Sequence, residues 1–137
     1  MNDILKAFDT ESISEAGAWL HLTLPGTDGV PAYLDEEKTK PMRIKLKGPD
    51  CDIWMAFQRK AIASMGAKDK RTAKEIAQED SRLFGRMTLE VENIPGLDVL
   101  TVESATALYL KYKDIRMQAL QFVLDRERNF ISQPASD

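Results

Sequence analysis

Apolar and polar positions change period along the chain, and the changes mark its elements. Residues 18 to 24, AWLHLTL, alternate around Trp19, PGTDG supplies turn residues, and VPAYL follows at 30 to 34, which predicts a hairpin. After the polar loop EEKTKP, Met42, Ile44 and Leu46 alternate with Arg43, Lys45 and Lys47, the period of a half-buried strand. Three strands with one solvated face are expected. Gly48-Pro49-Asp50 ends the sheet and opens a helix with Asp50 as N-cap. Trp54, Phe57, Ala61 and Met65 then recur at helical spacing up to Gly66, a C-cap candidate.

A second helix is expected to begin between Asp69 and Thr72, with Ala73, Ile76, Ala77, Leu83, Phe84 and Met87 as its apolar stripe. Asp80 falls on that stripe and marks either a wet seam or a pairing with a buried arginine, the seam being the commoner case. Residues 92 to 98, ENIPGLD, read as a loop. Thr101 is an N-cap candidate for a third helix carrying Ala105, Leu108, Tyr109 and Tyr112. Ile115, Ala119, Phe122 and Val123 continue a stripe beyond a kink or break at Lys113-Asp114.

These elements give an α+β fold, with a small antiparallel N-terminal β-sheet of three strands followed by a bundle of three to four helices. The 137 residues, 43% of them hydrophobic, suit one domain with a modest core. Within it, residues 1–16 are expected to be loosely held, with Ile4, Leu5 and Phe8 docking as one helical turn. Residues 17–48 form the β-rich part, 50–131 the helical part, and 132–137, SQPASD, a disordered tail. The single cysteine forms no internal disulfide, and neither a signal-peptide pattern nor an apolar run of about 20 residues stands in the sequence. The expectation is a cytosolic protein without a membrane partner.

Charge is segregated beneath a net −3: residues 1–37 carry −7, residues 38–74 carry +8 and residues 75–137 carry −4. The basic middle suits an acidic partner or nucleic acid, or else neutralises the acidic ends within one fold. The acidic total and the lack of a nucleic-acid motif favour neutralisation and argue against nucleic acid.

Candidate catalytic chemistry is sparse. His21 alternates with apolar residues on a strand and is assigned to its solvated face. Cys51 falls in the first turn of a helix, where the dipole lowers a thiol pKa, but with no base nearby in sequence it reads as a packing or capping residue. One histidine and one cysteine are too few for a structural zinc site within one chain. Gly26 and Gly29 belong to a turn, and Gly48 lacks the Gly-Lys-Ser/Thr sequel of a phosphate loop. Glu36-Glu37 and Glu79-Asp80 are sequence neighbours that splay apart, unlike a glycosidase pair. No enzyme activity, cofactor or metal is expected. Binding through surfaces remains: six methionines with Trp19, Trp54, Phe57, Phe84, Tyr109, Tyr112 and Phe122 serve mostly as core, with one amphipathic face left for self-association or a partner helix.

The segment from Ala107 to Ile131 carries the most detailed pattern: Leu108-Tyr109, Tyr112, Ile115-Arg116-x-Gln118-Ala119, Phe122, Asp125-Arg126 and Asn129-Phe130. It resembles the tail assembly chaperones of long-tailed, siphovirus-like bacteriophages and related prophages. Ile44-Lys45-Leu46-Lys47-Gly48-x-Asp50, leading into a helix with Trp54 and Arg59, is similar to the strand-Gly-Asp-helix element of the same group. The two blocks span residues 42–65 and 104–131; Lys113 departs from the pattern where a helix breaker is expected. The resemblance implies a non-enzymatic factor of the host bacterial cytoplasm that coats the tape-measure protein, keeps it soluble and helps recruit tail-tube subunits, the latter mainly through a longer frameshifted form. It implies absence from the mature virion. Tyr109, Tyr112, Arg116, Phe122 and Asn129 are then the candidate contacts for self-association or for the tape-measure protein. The alternative is a structural virion protein such as a head-tail connector or tail-completion subunit.

Overall fold

The computed structural model describes residues 3–64 and 70–131. In chain order the elements are α1 (Asp3–Lys6), α2 (Thr10–Ala16), β1 (Ala18–His21), β2 (Arg43–Leu46), α3 (Asp52–Ala63), α4 (Ala73–Met87), β3 (Thr88–Glu92), α5 (Val102–Lys111), α6 (Lys113–Leu124) and a π-helical turn (Glu127–Ile131). The fold is α+β, with a three-stranded antiparallel sheet ordered β1-β2-β3.

The third strand is not the one the hydrophobic pattern predicts. Residues 30–34 form only isolated bridges, Thr23 with Pro31 and Tyr33 with Pro41. Pro31 has no N–H to give a ladder, so VPAYL is held by single bonds such as Leu24 N to the Val30 carbonyl (2.8 Å) and Ala32 N to the Leu22 carbonyl (2.8 Å). β3 takes the place, pairing Ile44 with Val91 and Lys45 with Glu90 before a bulge between Lys45 and Leu46. It follows α4 without a loop, because Thr88 turns extended (φ −80°, ψ 121°) directly after the last helical residue. The sheet therefore recruits a strand from within the region expected to be wholly helical.

Pairing of Trp19 with Lys45, and of His21 with Arg43, puts these side chains on one face with Glu90 and Glu92. Ile44 and Leu46 point the other way and are completely buried. One hydrophobic cluster joins them to Trp54, Leu83, Phe84, Met87, Tyr109, Ala119 and Val123. An aromatic row crosses it: Phe57 to Trp54 at 5.9 Å, Trp54 to Phe84 at 6.3 Å and Phe84 to Tyr109 at 5.8 Å between ring centroids. Helices α4 and α5 approach closest at Gly85, where an added Cβ would sit 2.3 Å from Thr106 Oγ1 and 3.0 Å from the Val102 carbonyl oxygen.

Caps set the helix starts. Thr72 and Glu75 form a capping box on α4, whose start the sequence placed between Asp69 and Thr72, and Thr101, the expected N-cap, forms one with Ser104 on α5. At α3 the N-cap is Cys51, not Asp50: Cys51 Sγ accepts from Trp54 N at 3.4 Å. Asp50 turns away to Arg126. The C-cap of α3 is Ser64, and the expected roles of Met65, Gly66 and Asp69 lie outside the described residues, as does the tail at 132–137.

The described part of this N-terminal segment, residues 3–16, divides in two. α2 is tied down: Gly48 N donates to the Ser14 carbonyl (2.8 Å), Asp50 N to Ser14 Oγ (3.1 Å) and Asp52 N to Glu15 Oε2 (2.8 Å), and Ser14 is buried. Gly17 makes the turn into β1 at φ +82°, where a side chain would also strike Leu89 and the Leu46 carbonyl. The turn of helix containing Ile4 and Leu5 forms but does not dock; Ile4, Leu5 and Phe8 all stay exposed.

Candidate partner-binding surface

The segment carrying the family resemblance folds as α5, α6 and the π-helical turn, broken at Tyr112 and at Asp125. Tyr112 closes α5 and opens α6 in an extended conformation (φ −111°, ψ 91°), which gives the break expected next to Lys113.

The five candidate contact residues occupy different environments. Tyr109 is completely buried, its hydroxyl sharing a 2.7 Å hydrogen bond with Thr88 Oγ1, and burial pushes its phenol pKa upward. Arg116 is half-buried and donates from Nη1 to the Tyr109 carbonyl (2.8 Å), satisfying a free oxygen near the end of α5. Phe122 is half-buried and meets Phe130 edge to face at 5.4 Å. Asn129 Nδ2 donates to the Phe122 carbonyl (2.7 Å), doing for α6 what Arg116 does for α5. Tyr112 alone of the five presents a largely open ring, 47% exposed, with Lys111 Nζ 5.5 Å from its centroid.

Other residues of the same motif stitch distant parts together. Gln118 accepts from Thr23 N and donates to the Thr23 carbonyl, both at 2.9 Å, so one side-chain amide acts as a strand partner beyond β1. Arg126 forks onto the Asp50 carboxylate (Nη2 to Oδ2, 2.7 Å) and holds that acid below its ordinary pKa. Phe130 is buried against Gly48, where an added Cβ would lie 2.5 Å from its ring and 2.7 Å from Ser14 Oγ. The two sequence blocks that carry the resemblance thus meet at Gly48/Phe130 and Asp50/Arg126.

Among the exposed positions of the segment, beside charged ones such as Lys111, Lys113, Asp114, Arg126 and Arg128, stand four large apolar side chains. Met117 and Leu124, seven residues apart on one face of α6, are exposed, as are Leu110 and Tyr112 at and beside the break. No pattern rule separates them from core positions in advance, since Met117 and Leu124 continue a helical spacing as well as Ala119 and Val123 do.

Three charges of the basic middle are paired within the sheet and its flank. Arg43 meets Glu92 (2.6 Å), Lys45 meets Glu90 (3.6 Å) and Lys47 meets Glu15 (2.9 Å). Glu15 lies below its ordinary pKa, chiefly through the Asp52 amide and then through Lys47. Arg43 also stacks over Trp19, 4.4 Å from the ring centroid, which places this tryptophan on the outer face.

His21 Nε2 donates to the Ala32 carbonyl (2.9 Å) and its ring meets Tyr33 edge-on. Cys51 is buried, and burial raises its thiol pKa against the lowering expected at a helix start. Asp80 is also raised by burial, partly offset by the charges of Arg116 and Arg71, so it sits near basic side chains in a partly dehydrated seam. Among the described residues, no three His, Cys, Asp or Glu side chains are grouped to hold a metal, and no helix is long and apolar enough to cross a membrane. No protein-family model, no curated protein and no solved structure matches the chain.

Proposed function

We propose that the chain is a tail assembly chaperone of a long-tailed bacteriophage or prophage, acting in the host cytoplasm as a non-enzymatic binder of the tape-measure protein. The observation that carries this reading is the coincidence of two features in one segment. The residues resembling that family lie in 104–131, and the same segment leaves Leu110, Tyr112, Met117 and Leu124 uncovered. A tape-measure protein is a long helix whose apolar stripe aggregates until a tube encloses it. A helical surface with methionine and tyrosine at its exposed positions suits reversible cover of such a stripe, because methionine adapts its shape to different side chains.

In this arrangement Arg116, Gln118, Phe122 and Asn129 hold α5, α6 and the terminal turn in place, and Tyr112, Met117 and Leu124 make the contact. Recruitment of tail-tube subunits belongs to a longer frameshifted form of the chain. The test is affinity pull-down of the tape-measure protein on co-expression, with mass spectrometry of purified virions. A complex with the tape-measure protein and absence from virions supports the reading. Failure to form the complex, with the chain found in virions, refutes it in favour of a structural subunit.

A further inference from the structure

We infer that the N-terminal arm of one copy docks on α3 of a second copy of this chain. The inference is independent of tape-measure binding and places self-association on a surface away from α5 and α6. Three observations support it. First, Ile4, Leu5 and Phe8 fall on one side of the opening helical turns and are 69%, 62% and 75% exposed. A single turn of helix has no stability of its own in water, so an ordered turn with three uncovered large apolar groups calls for a covering surface. Second, α3 offers one. Met55, Arg59 and Ile62 stand at i, i+4 and i+7, turned away from the buried Trp54, and Ile62 is 65% exposed.

Third, the charges match. Asp9 and Glu11 follow Phe8 at the root of the arm, with Lys6 its one base, and α3 carries Arg59 and Lys60 beside Met55 and Ile62, with Asp52 at its opposite end. Arg59 and Lys60 are exposed and, among the described residues, form no ion pair, whereas Arg43, Lys45 and Lys47 of the basic middle are paired internally. An apolar acidic arm therefore meets an apolar basic helix. Two α3 faces do not attract each other, because that pairing sets Arg59 and Lys60 against their own kind. The anchored α2 fixes the root of the arm on its own copy. The contact is heterologous, so it either closes a ring or continues as an open chain of copies.

The test uses the full chain. Two single-site variants, Phe8→Cys and Ile62→Cys, are mixed and oxidised; native Cys51 is buried and stays out of the reaction. The expected product is the mixed disulfide in excess over either homodimer. Sedimentation of the otherwise native protein should show self-association that weakens with salt. Phe8→Ser and Arg59→Glu should each weaken it by roughly tenfold or more, with unchanged thermal unfolding because both side chains are exposed. The inference is overturned by a monomer at all concentrations, by Phe8→Cys homodimers as the main product, by a disulfide closing within one chain when Phe8→Cys and Ile62→Cys are combined in a single chain, or by association indifferent to both substitutions. A chain that self-associates in this way but ignores the tape-measure protein leaves this inference standing and removes only the proposed function.

Discussion

At the scale of single residues, the fold depends on two glycines that let other groups approach. Gly85→Ala drives a methyl into Thr106 and the Val102 carbonyl, so the α4–α5 contact must open. A loss of about 1–3 kcal/mol in urea unfolding is expected. Gly48→Ala meets the Phe130 ring and Ser14 Oγ in the same manner and should release the terminal turn. Asp80 makes the opposite prediction. Its pKa is raised on folding, so its charge opposes folding near neutrality and the penalty fades as pH falls toward the folded value. Asp80→Asn should therefore raise the urea midpoint at pH 7 and bring little change under acid conditions. A drop in midpoint at pH 7 would show that attraction to Arg116 and Arg71 outweighs burial. Asp80 on an apolar stripe was visible in the sequence as an anomaly, and the structure leaves it half-buried with the charges of Arg116 and Arg71 acting on it. The reach of Arg126 to Asp50, or of Gln118 to Thr23, was not visible. No periodicity links residues 76 and 95 positions apart.

Elements were legible where chemistry is local. The capping boxes at Thr72 and Thr101 depend on residues three apart, and Thr72→Ala should cost about 1 kcal/mol of stability. β3 shows what local reading loses. Leu89 and Val91 alternate with Glu90 and Glu92 in a strand of five residues, but Met87 and Thr88 join it to α4 directly, and Gly85 inside the last turn serves the contact with α5 rather than ending the helix. VPAYL carried a strand composition and failed because Pro31 and the nearby Pro41 limit pairing to single bridges. The α2–terminal turn contact gives an element-scale prediction. Asp50 is lowered chiefly by Arg126, and Glu15 chiefly by the Asp52 amide, so their stabilisation is complete above the ordinary carboxylate pKa. It is lost as pH falls through their depressed values. Hydrogen exchange of residues 126–131 should rise as pH drops below about 3.9, after correction for intrinsic rates, and Arg126→Ala should remove the part of that pH dependence that Asp50 contributes, leaving the part from Glu15.

Over the whole molecule, the segregated charges serve two purposes: Arg43, Lys45 and Lys47 neutralise acids within the fold, and Arg59 and Lys60 face outward. The α+β class was readable because both hydrophobic periods were present. The proposed contact surface was not, since exposure of Tyr112, Met117 and Leu124 depends on how α5 and α6 pack in the fold. Four of the five residues singled out by resemblance make internal contacts, and Tyr112 alone of them is exposed, beside Leu110 and Met117. The most direct measurement is tape-measure solubility on co-expression with the native chain and with a Tyr112→Ser, Met117→Ser, Leu124→Ser triple variant. The account predicts that the native chain keeps the tape-measure protein soluble, and that the variant unfolds at the native temperature yet leaves it aggregated. Equal rescue by both chains, or rescue by neither, would contradict it.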